Sequence, residues 1–423
     1  MVLIVMPNIR PEASCDYFIA EPTIRVLLVA DVRSPTTWGW VDAIRSAGII
    51  VLGLNGKEWP ENRAFYSSGQ RSRIGARQQL ASFASATPRR LKLTQGFWRT
   101  TGPLLASMRS RRLKRAIART RPDIIHALRI PCEAMEAAAA CPQDIPLAVS
   151  IWGNDLTLQA SINRLIARAT RRVLMETNLL FADCQRDIDL AKNWGLQVRT
   201  ATSVLPGGGG IDLARVAKAK RVSALRLEDL EWVNHRLIVN PRGCREYVRN
   251  DILLEALSLL RSEIDSDVRI VFVDAAHDEG LRRRIENHSL SEKIIVTEKL
   301  APTRILSLFC RTEISVSITE HDGTPNSLLE AMAAGAIPVC GDIPSIREWI
   351  VHGTNGFLAP SDNPRAVADA LLNSLQLSDV ERSVMRAENC KIIATRAERN
   401  LTGMQAAEKY RELVRSAAGV VQY

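Results

Sequence analysis

Residues 320–335 read EHDGTPNSLLEAMAAG and decide the fold prediction for this part of the chain. They follow the apolar, β-branched run Ile314 to Thr319, which predicts a strand. A Gly-Thr-Pro turn then leads to Asn326, which is expected to cap a short helix that ends at Gly335. This order predicts a β-α unit whose helix starts at the carboxyl end of a parallel sheet.

The same stretch suits an anionic ligand. Unpaired amides and the helix dipole at a helix start both favour a diphosphate. Glu330, one turn into the helix, can reach a ribose diol, and Asp322 can accept hydrogen bonds from sugar hydroxyls. Two carboxylates eight residues apart can equally be surface charges, so their place in the strand, turn and helix carries the prediction. The residues predicted to contact this anionic ligand are Gly323, Thr324, Pro325, Asn326, Ser327, Leu328 and Glu330.

Similar apolar runs alternate with helical patterns through both halves of the chain. This alternation predicts an α/β protein with two Rossmann-like, doubly wound parallel-sheet domains. The chain of 423 residues is long enough for each domain to bury its own core. The predicted strands are Ile24 to Ala30, Asp123 to Ala127, Leu147 to Ile151, Asn178 to Ala182, Ser203 to Leu205, Arg236 to Val239, Val268 to Val273, Lys293 to Val296, Ile314 to Thr319, Ile337 to Cys340 and Phe357 to Ala359.

The domain limits follow from the breaks in this rhythm. We predict a tail over residues 1–23, a first domain over 24–218, a second domain over 219–395 and a C-terminal helix over 396–423 that packs back on the first domain. Four consecutive glycines, Gly207 to Gly210, mark the junction. They predict either a hinge or a simple flexible turn.

The positive charge is concentrated in one segment. The chain carries 56 Lys and Arg against 46 Asp and Glu, a formal charge of +10. Residues 62–122 contain 15 basic residues and no acidic ones, so the other 362 residues have a net charge of −5. This distribution disfavours a nucleic-acid binder. The basic segment predicts contact with an anionic membrane surface or lipid-linked acceptor, or else a solvated basic face.

Other patterns narrow the cell compartment and the reaction. Eight singly spaced cysteines are typical of a reducing compartment, and no apolar run reaches the ~18 residues that span a bilayer. We predict a cytoplasmic protein whose basic segment allows peripheral contact with the inner membrane face. The sequence contains no GxGxxG fingerprint, phosphate-binding P-loop or GxSxG elbow, which disfavours nicotinamide enzymes, P-loop kinases and serine hydrolases.

The longest set of matches resembles the GT-B-fold retaining glycosyltransferases of glycosyltransferase family 4. Members carry an acidic residue, seven residues, Glu, Ala-Met-Ala-x-Gly and a Pro-Val strand, and this chain has Asp322 through Glu330, Ala331 to Gly335 and Pro338-Val339. The turn Gly353 to Phe357 continues the match. The resemblance implies an acceptor-side first domain and a nucleotide-sugar-binding second domain that face a cleft.

The resemblance also implies a cationic clamp on the donor diphosphate. Residues 240–243 read NPRG and resemble the Gly-Arg turn of the family, so Arg242 is the first cation. Arg249 or Arg245 stands where members usually have Lys, and the planar guanidinium leaves open which of the two reaches the phosphates. The alternative interpretation is an exposed arginine cluster.

In the first domain, residues 150–155 read SIWGND and resemble the Val-His-Gly-x-Asp loop of the family. Trp152 replaces the usual His, which leaves Asp155 as the polar candidate. His126 matches a strand-end histidine of the family and is interpreted as a hydrogen-bonded residue at the end of a buried strand.

The resemblance implies transfer of a sugar from a UDP- or GDP-type donor to a hydroxyl acceptor, in cell-surface glycan or glycolipid assembly. The expected catalytic residues are Asp322, Arg242 and Asp155, and no cofactor or metal is expected because cations and amides neutralise the phosphates. Two alternatives remain: a non-catalytic GT-B scaffold partner of an active transferase, which Trp152 would suit, and a sugar-nucleotide epimerase.

Overall fold

The computed structural model of the protein describes residues 23–32, 34–53 and 110–420. Residues 1–22 of the predicted tail and residues 62–109 of the basic segment lie outside this part of the chain. The first domain contains a parallel sheet of six strands in the order β2-β1-β3-β4-β5-β6. Its elements are β1 (Arg25–Val29), α1 (Pro35–Ser46), β2 (Ile50–Leu52), α2 (110–120), β3 (Ile124–Leu128), α3 (Met135–Ala140), β4 (Leu147–Ile151), α4 (Arg164–Glu176), β5 (Leu179–Ala182), α5 (Gln185–Asn193) and β6 (Ala201–Val204).

The second domain contains another parallel sheet of six strands, in the order β12-β11-β10-β7-β8-β9. Helix α6 (Leu213–Leu227) leads into it, and helix α14 (Arg399–Val420) follows it. Its elements are β7 (Arg236–Asn240), α7 (Asn250–Leu259), β8 (Val268–Phe272), α8 (Glu279–Asn287), β9 (Ile294–Val296), α9 (Pro302–Phe309), β10 (Thr312–Ser317), α10 (Asn326–Ala334), β11 (Ile337–Gly341), α11 (Pro344–Arg347), β12 (Phe357–Ala359), α12 (Pro364–Leu375) and α13 (Asp379–Arg396).

The predicted fold class is confirmed, because both sheets are parallel and carry helices on both faces. Every predicted strand run contains or overlaps an observed strand. The structure adds β2, which covers only three residues after the turn at Gly48 and pairs with β1. A strand of this length has too few residues for its alternation to stand out in the sequence.

The order of the second sheet places its ligand crevice. Counted within the domain, the strands run 3-2-1-4-5-6 from β9 to β12, which is the Rossmann arrangement. From β7 the chain runs through β8 to β9 at one edge of the sheet, and it then returns to β10, on the other side of β7, and continues to β12 at the other edge. The order of the strands therefore reverses between the neighbours β7 and β10. Ligands of open parallel sheets bind outside the carboxyl ends of the strands at such a switch point.

The chain crosses between the domains twice, and the two crossings are hydrogen-bonded to each other. The amide of Ile211 donates to the carbonyl of Ala397 at 2.7 Å, and the amide of Arg399 donates to the carbonyl of Ile211 at 3.0 Å. Gly210, with φ +77°, lies so close to Thr402 that a β-carbon would come within 2.6 Å of its hydroxyl. The glycine run therefore serves as a tight, packed crossing between the domains.

Helix α6 packs on α9 of the second domain, and α14 returns to pack on α1 of the first. The predicted limit at residue 218 falls inside α6. Tyr410 on α14 is fully buried, and its hydroxyl lies 2.7 Å from His126 Nδ1. His126 Nε2 lies 2.9 Å from Ser150 Oγ, so both ring nitrogens of His126 have partners, as predicted, although His126 lies in the middle of β3 and not at its end.

His126 makes the stability of the first domain depend on pH. Burial lowers the pKa of His126 from 6.5 to about 3. The unfolded chain therefore binds one more proton than the folded chain between these two values, and stability falls as the pH falls through this window. From pH 7 to pH 4, we expect this residue to remove about 3 kcal/mol from the free energy of unfolding.

Urea unfolding at pH 7 and pH 4 measures this effect. His126→Gln should lose less stability on acidification than the wild type, although it is less stable at pH 7 because the pair with Tyr410 is weakened. His277→Gln is the matched control, because the His277 side chain is exposed. Equal acid sensitivity of His126→Gln and the wild type would refute the assignment.

Candidate active site

Arg242 and Asp322 meet at the switch point of the second sheet. Arg242 follows β7 and Asp322 follows β10, so the loops that leave two neighbouring strands bring them together. Arg242 Nη2 donates to Asp322 Oδ2 in an ion pair that is largely shielded from solvent, with 11% and 13% of the two side chains exposed. The alternative of an exposed arginine cluster is therefore wrong for Arg242.

Asp322 is held by its backbone as well as by its side chain. Its carbonyl accepts a hydrogen bond from Ser345 Oγ at 2.7 Å and another from Arg186 Nη1 at 2.6 Å. Burial raises the pKa of Asp322, and the charge of Arg242 opposes that rise. The carboxylate is thus fixed at the mouth of the cleft, with Arg242 as its counter-charge.

Helix α10 starts beside this ion pair. Pro325, with ψ 126°, is the N-cap residue and provides no side-chain cap, so the prediction that Asn326 caps the helix is wrong. Within the described structure, the amides of Asn326 and Ser327 have no acceptor, whereas the amide of Leu328 donates to the carbonyl of Pro325 at 3.0 Å. The helix ends at Gly335 with φ 102°, as predicted. Two free amides and the helix dipole therefore point out of the carboxyl edge of the sheet.

Glu330 lies one turn into α10 in a cationic setting. Burial raises the pKa of Glu330, and the charges of Arg215 and Arg399 oppose that rise. Its carboxylate makes no hydrogen bond or ion pair with the described residues. Arg215 lies on α6 and Arg399 starts α14, so both cations come from the crossings between the domains. Sequence spacing gave no sign that these two arginines approach Glu330.

The two candidates for the second cation differ in their contacts. Arg249 precedes α7 and forms ion pairs with Asp251, at 2.9 Å, and with Glu320. The hydrogen bonds that Arg249 donates to Asp251 and Glu320 raise the pKa of Arg249. Arg245 is exposed and forms no ion pair with the described residues. Its charge opposes the rise in the pKa of Asp322. The structure leaves Arg245 the freer of the two to meet a phosphate.

The two domains touch where the loop of residues 320–325, which precedes α10 and is called the donor loop below, meets the first domain. Gly153 packs on the backbone of Gly323, and a β-carbon at Gly153 would overlap it. A β-carbon at Gly208 would lie 2.5 Å from Asn326 Nδ2, so the side chain of Asn326 would have to move to admit one. The side chain of Asn326 is therefore turned toward the other domain, which explains why it does not cap its own helix.

Asp183 and Arg186 belong to this contact, although the sequence did not single them out. Thr324 Oγ1 donates to the carbonyl of Asp183 at 2.5 Å, and Arg186 Nη2 donates to the carbonyl of Gly153 at 3.2 Å. Burial raises the pKa of Asp183 well above its ordinary value, and the charges of Asp187 and Asp322 raise it further. Asp183 Oδ1 is buried with no hydrogen-bond partner in the described structure. These residues follow β5 as an ordinary helix start, so only the folded cleft reveals them.

Asp155 is buried and fully engaged within the first domain. Arg129 Nη2 donates to its Oδ1 at 3.2 Å, while the amides of Trp152 and Ile130 donate to its Oδ2 at 3.3 and 3.4 Å. Burial raises the pKa of Asp155, and Arg129 opposes that rise. This geometry fixes the loop that carries Trp152 and Gly153 at the cleft edge. A catalytic role for Asp155 remains a prediction.

The segment after β3 is strained. Arg129 has φ 98° and Cys132 has φ 78°, values that side chains rarely adopt. Burial raises the pKa of Glu133 to about 8, against the opposing charge of Arg129. Backbone strain at the carboxyl end of a strand is characteristic of functional sites, and no residue-type signal in the sequence indicated it.

A metal ion has one candidate site among the described residues. Ligand atoms of Asp183, Cys184 and Asp187 lie within 4.8 Å of one another. Burial raises the pKa of the Cys184 thiol, and Arg186 Nη2 already donates to Asp187 Oδ1 at 2.6 Å. A protonated thiol and a carboxylate that is paired with Arg are poor ligands, so this group does not fit a metal well.

Glu348 joins the domains at a helix start. Its carboxylate accepts hydrogen bonds from the amides of Gln185, at 2.8 Å, and Arg186, at 3.1 Å. These are the first two residues of α5, whose N-cap residue Cys184 supplies no side-chain cap. A residue of the second domain thus caps a helix of the first, where the helix dipole favours a negative charge.

The second domain matches a known family. Residues 234–391 match the model of the family described as Glycosyl transferases group 1. A GDP-mannose:cellobiosyl-diphosphopolyprenol alpha-mannosyltransferase of Xanthomonas campestris is 26% identical over 127 residues, 29% of this chain and 33% of that protein. A phosphatidyl-myo-inositol mannosyltransferase of Mycobacterium leprae is 27% identical over 199 residues, 46% of this chain and 50% of that protein. The chain therefore spans between a third and a half of the length of these relatives.

Solved structures match nearly the whole chain. Sucrose-phosphate synthase from Thermosynechococcus elongatus superposes with a TM-score of 0.69 at 12% identity and covers 93% of this chain and 100% of its own. Anabaena HepE in complex with UDP and glucose superposes with a TM-score of 0.65 at 15% identity, and the match covers 92% of this chain and 100% of its own. The protein thus has the GT-B fold of glycosyltransferases. Within that fold, the match to the group 1 glycosyl transferase model covers the sheet that carries Arg242 and Asp322.

The cap across the cleft gives a testable expectation. Glu348→Gln removes the charge that binds the two amides of α5, which should weaken domain contact by about 1–2 kcal/mol. We expect faster hydrogen exchange at residues 185–187 and a larger radius of gyration in small-angle scattering. Glu381→Gln, which alters a cap inside the second domain, is the control. Unchanged exchange at residues 185–187 in Glu348→Gln would contradict the role of this contact.

Proposed function

We propose that the protein is a retaining glycosyltransferase that moves a sugar from a nucleoside-diphosphate donor to a hydroxyl acceptor in the cleft between its domains. The observation that carries this proposal is the meeting of Arg242, Asp322 and the free amides of α10 at one switch point. The match of residues 234–391 to the group 1 family supports the same reaction class.

The donor would lie across the carboxyl edge of the second sheet. Its diphosphate would bind the amides of Asn326 and Ser327, and Arg242 would neutralise the charge that develops on leaving. Asp322 would then exchange Arg242 for hydroxyls of the sugar. Glu330, which has no hydrogen-bond partner among the described residues, would bind the ribose diol.

In the proposed reaction, the acceptor oxygen bonds to the anomeric carbon as the bond from that carbon to the diphosphate breaks. The leaving diphosphate takes the acceptor proton on the same face, so the configuration is retained. Arg242 and two helix amides supply the positive charge that this step needs, and we therefore propose that no metal cofactor takes part. Asp155 is proposed to act by holding the Trp152 loop beside the reacting sugar.

From the relatives we propose only the chemical class of the donor and of the acceptor. The Anabaena structure contains UDP, and the Xanthomonas relative is named for GDP-mannose, so we propose a donor of the UDP or GDP type. The named relatives act on a diphosphopolyprenol-linked sugar and on phosphatidyl-myo-inositol. A glycan or lipid-linked acceptor in cell-surface glycan assembly is the matching proposal.

We propose a cytoplasmic location with peripheral membrane contact. No helix in the described part of the chain is long and apolar enough to cross a bilayer. The only described part of the basic segment is residues 110–122, where α2 exposes Arg111, Arg112, Lys114, Arg115 and Arg119. Helix α4 on the same face of the sheet exposes Leu165 beside Arg164 and Arg168, which suits an anionic leaflet.

Glu330 provides a direct test of the donor site. Glu330→Ala should weaken binding of the cognate nucleotide by about 10-fold to 100-fold, because a charged hydrogen-bond acceptor is lost. Calorimetric titration of the full chain with UDP and with GDP measures this change. Glu279→Ala, an exposed change on α8, should leave the affinity unaltered. Equal affinity of Glu330→Ala and the wild type would show that the nucleotide binds elsewhere.

Vesicle sedimentation tests the membrane contact. The full chain should pellet with vesicles that contain phosphatidylglycerol and not with pure phosphatidylcholine vesicles, and added salt should release it. Replacing Arg111, Arg112, Lys114 and Arg115 with Gln should reduce pelleting. Equal binding to both kinds of vesicle, or binding to neither, would contradict the proposal.

A further inference from the structure

A cavity of about 780 Å³ opens at the edge of the second sheet opposite to the candidate active site. It lies at the amino ends of β7 and β10, where Arg236 and Glu313 are placed, and it is bordered by α13 and by Lys220 of α6. Arg242 and Asp322 follow the carboxyl ends of the same two strands. The cavity is therefore a separate place in the fold, and the proposed transfer reaction makes no use of it.

Its charge is strongly positive. The lining contains five Lys or Arg residues against two carboxylates, Glu313 and Asp379. Glu313 is shared between two guanidinium groups: Arg236 donates to it through Nε and Nη2, both at 2.8 Å, and Arg382 donates through Nη1. One carboxylate of the cavity therefore pairs with two cations, and Arg236 also donates to Asp265 Oδ2 at 2.7 Å.

Three further cations of the lining are in no direct ion pair with the described residues. Lys220, Arg311 and Arg386 form no side-chain ion pair or hydrogen bond with the described residues. Arg386 Nε is shielded from solvent and has no acceptor. Arg382 and Arg386 are four residues apart on α13, so their like charges repel each other along one face of the helix.

Burial and the charge of Arg382 lower the pKa of Arg386, while the charges of Glu313 and Asp379 oppose that change. An anion would relieve that repulsion, as well as satisfy the Nε–H group. Guanidinium groups bind phosphate oxygens in pairs of parallel hydrogen bonds, which a chloride ion cannot form. The volume falls within the range of small-molecule pockets, and its concave shape does not suit a flat bilayer surface.

We propose that this cavity is a second anion site, which binds a phosphate-bearing small molecule through Arg311, Arg386 and Lys220. Helix α10 connects the two sites, because its first residues form the donor site and Ala334, near its end, lines the cavity. At 1.5 Å per residue, this helix separates the two sites by roughly 12 Å.

Calorimetric titration of the full chain with inorganic phosphate, and then with glucose 1-phosphate, tests the site. Because a phosphate can also enter the donor site, the titrations are repeated on Arg242→Gln, which should keep the binding event of the cavity. In the Arg242→Gln background, adding Arg386→Gln should weaken that event at least 10-fold, and Arg311→Gln, at an exposed residue, should weaken it without risk to folding. Arg304→Gln, which breaks a surface pair with Asp229, is the control for loss of a charge and should bind as before.

The result separates this proposal from the donor-site assignment. Loss of all phosphate binding in Arg242→Gln would overturn the second site and leave the donor site intact. Equal phosphate affinity with and without Arg386→Gln and Arg311→Gln would also overturn it. A third experiment uses phosphatidic acid vesicles. If binding requires Arg386 and occurs with these vesicles but not with the soluble phosphates, the occupant is a lipid headgroup and the proposed small molecule is wrong.

Discussion

The ion pair between Arg242 and Asp322 is the interaction on which the candidate site depends. Each partner leaves the carboxyl end of a different strand, and the two strands are neighbours only because the sheet reverses its order between them. The pair is largely buried, so losing either partner would leave an uncompensated charge in the cleft. In the proposed donor complex, a diphosphate would replace the carboxylate as the counter-charge and keep Arg242 paired.

Close backbone contact gives the cleft its shape. Gly153 and Gly208 of the first domain reach the donor loop and Asn326 because they have no β-carbon. The hydrogen-bonded crossings at Ile211 and Ala397 join the domains, and the carboxylate of Glu348, which caps α5, forms a further contact between them. Groups that would be costly to bury alone, such as Asp183, are brought beside the donor loop by these contacts.

Local sequence patterns were enough for most of the architecture. Runs of Val and Ile predicted the strands because buried parallel strands need apolar residues on both faces. The helix end at Gly335 was predicted because its positive φ favours glycine. The cap at Asn326 was predicted wrongly: Pro325 is the N-cap residue, and the side chain of Asn326 lies against Gly208 of the other domain. Such a contact joins residues more than a hundred positions apart and leaves no local signal.

The sequence by itself determined the two parallel-sheet domains, the strand–turn–helix that carries Asp322 and Glu330, and the position of Arg242 after β7. Each of these depends on residues that are near in the chain. Only the tertiary structure decided that Arg249 is held by Asp251 and Glu320, and that the Nε–H group of Arg386 is buried without a hydrogen-bond acceptor among the described residues. Charge pairing and burial depend on distances across the folded protein, and a linear pattern does not contain those distances.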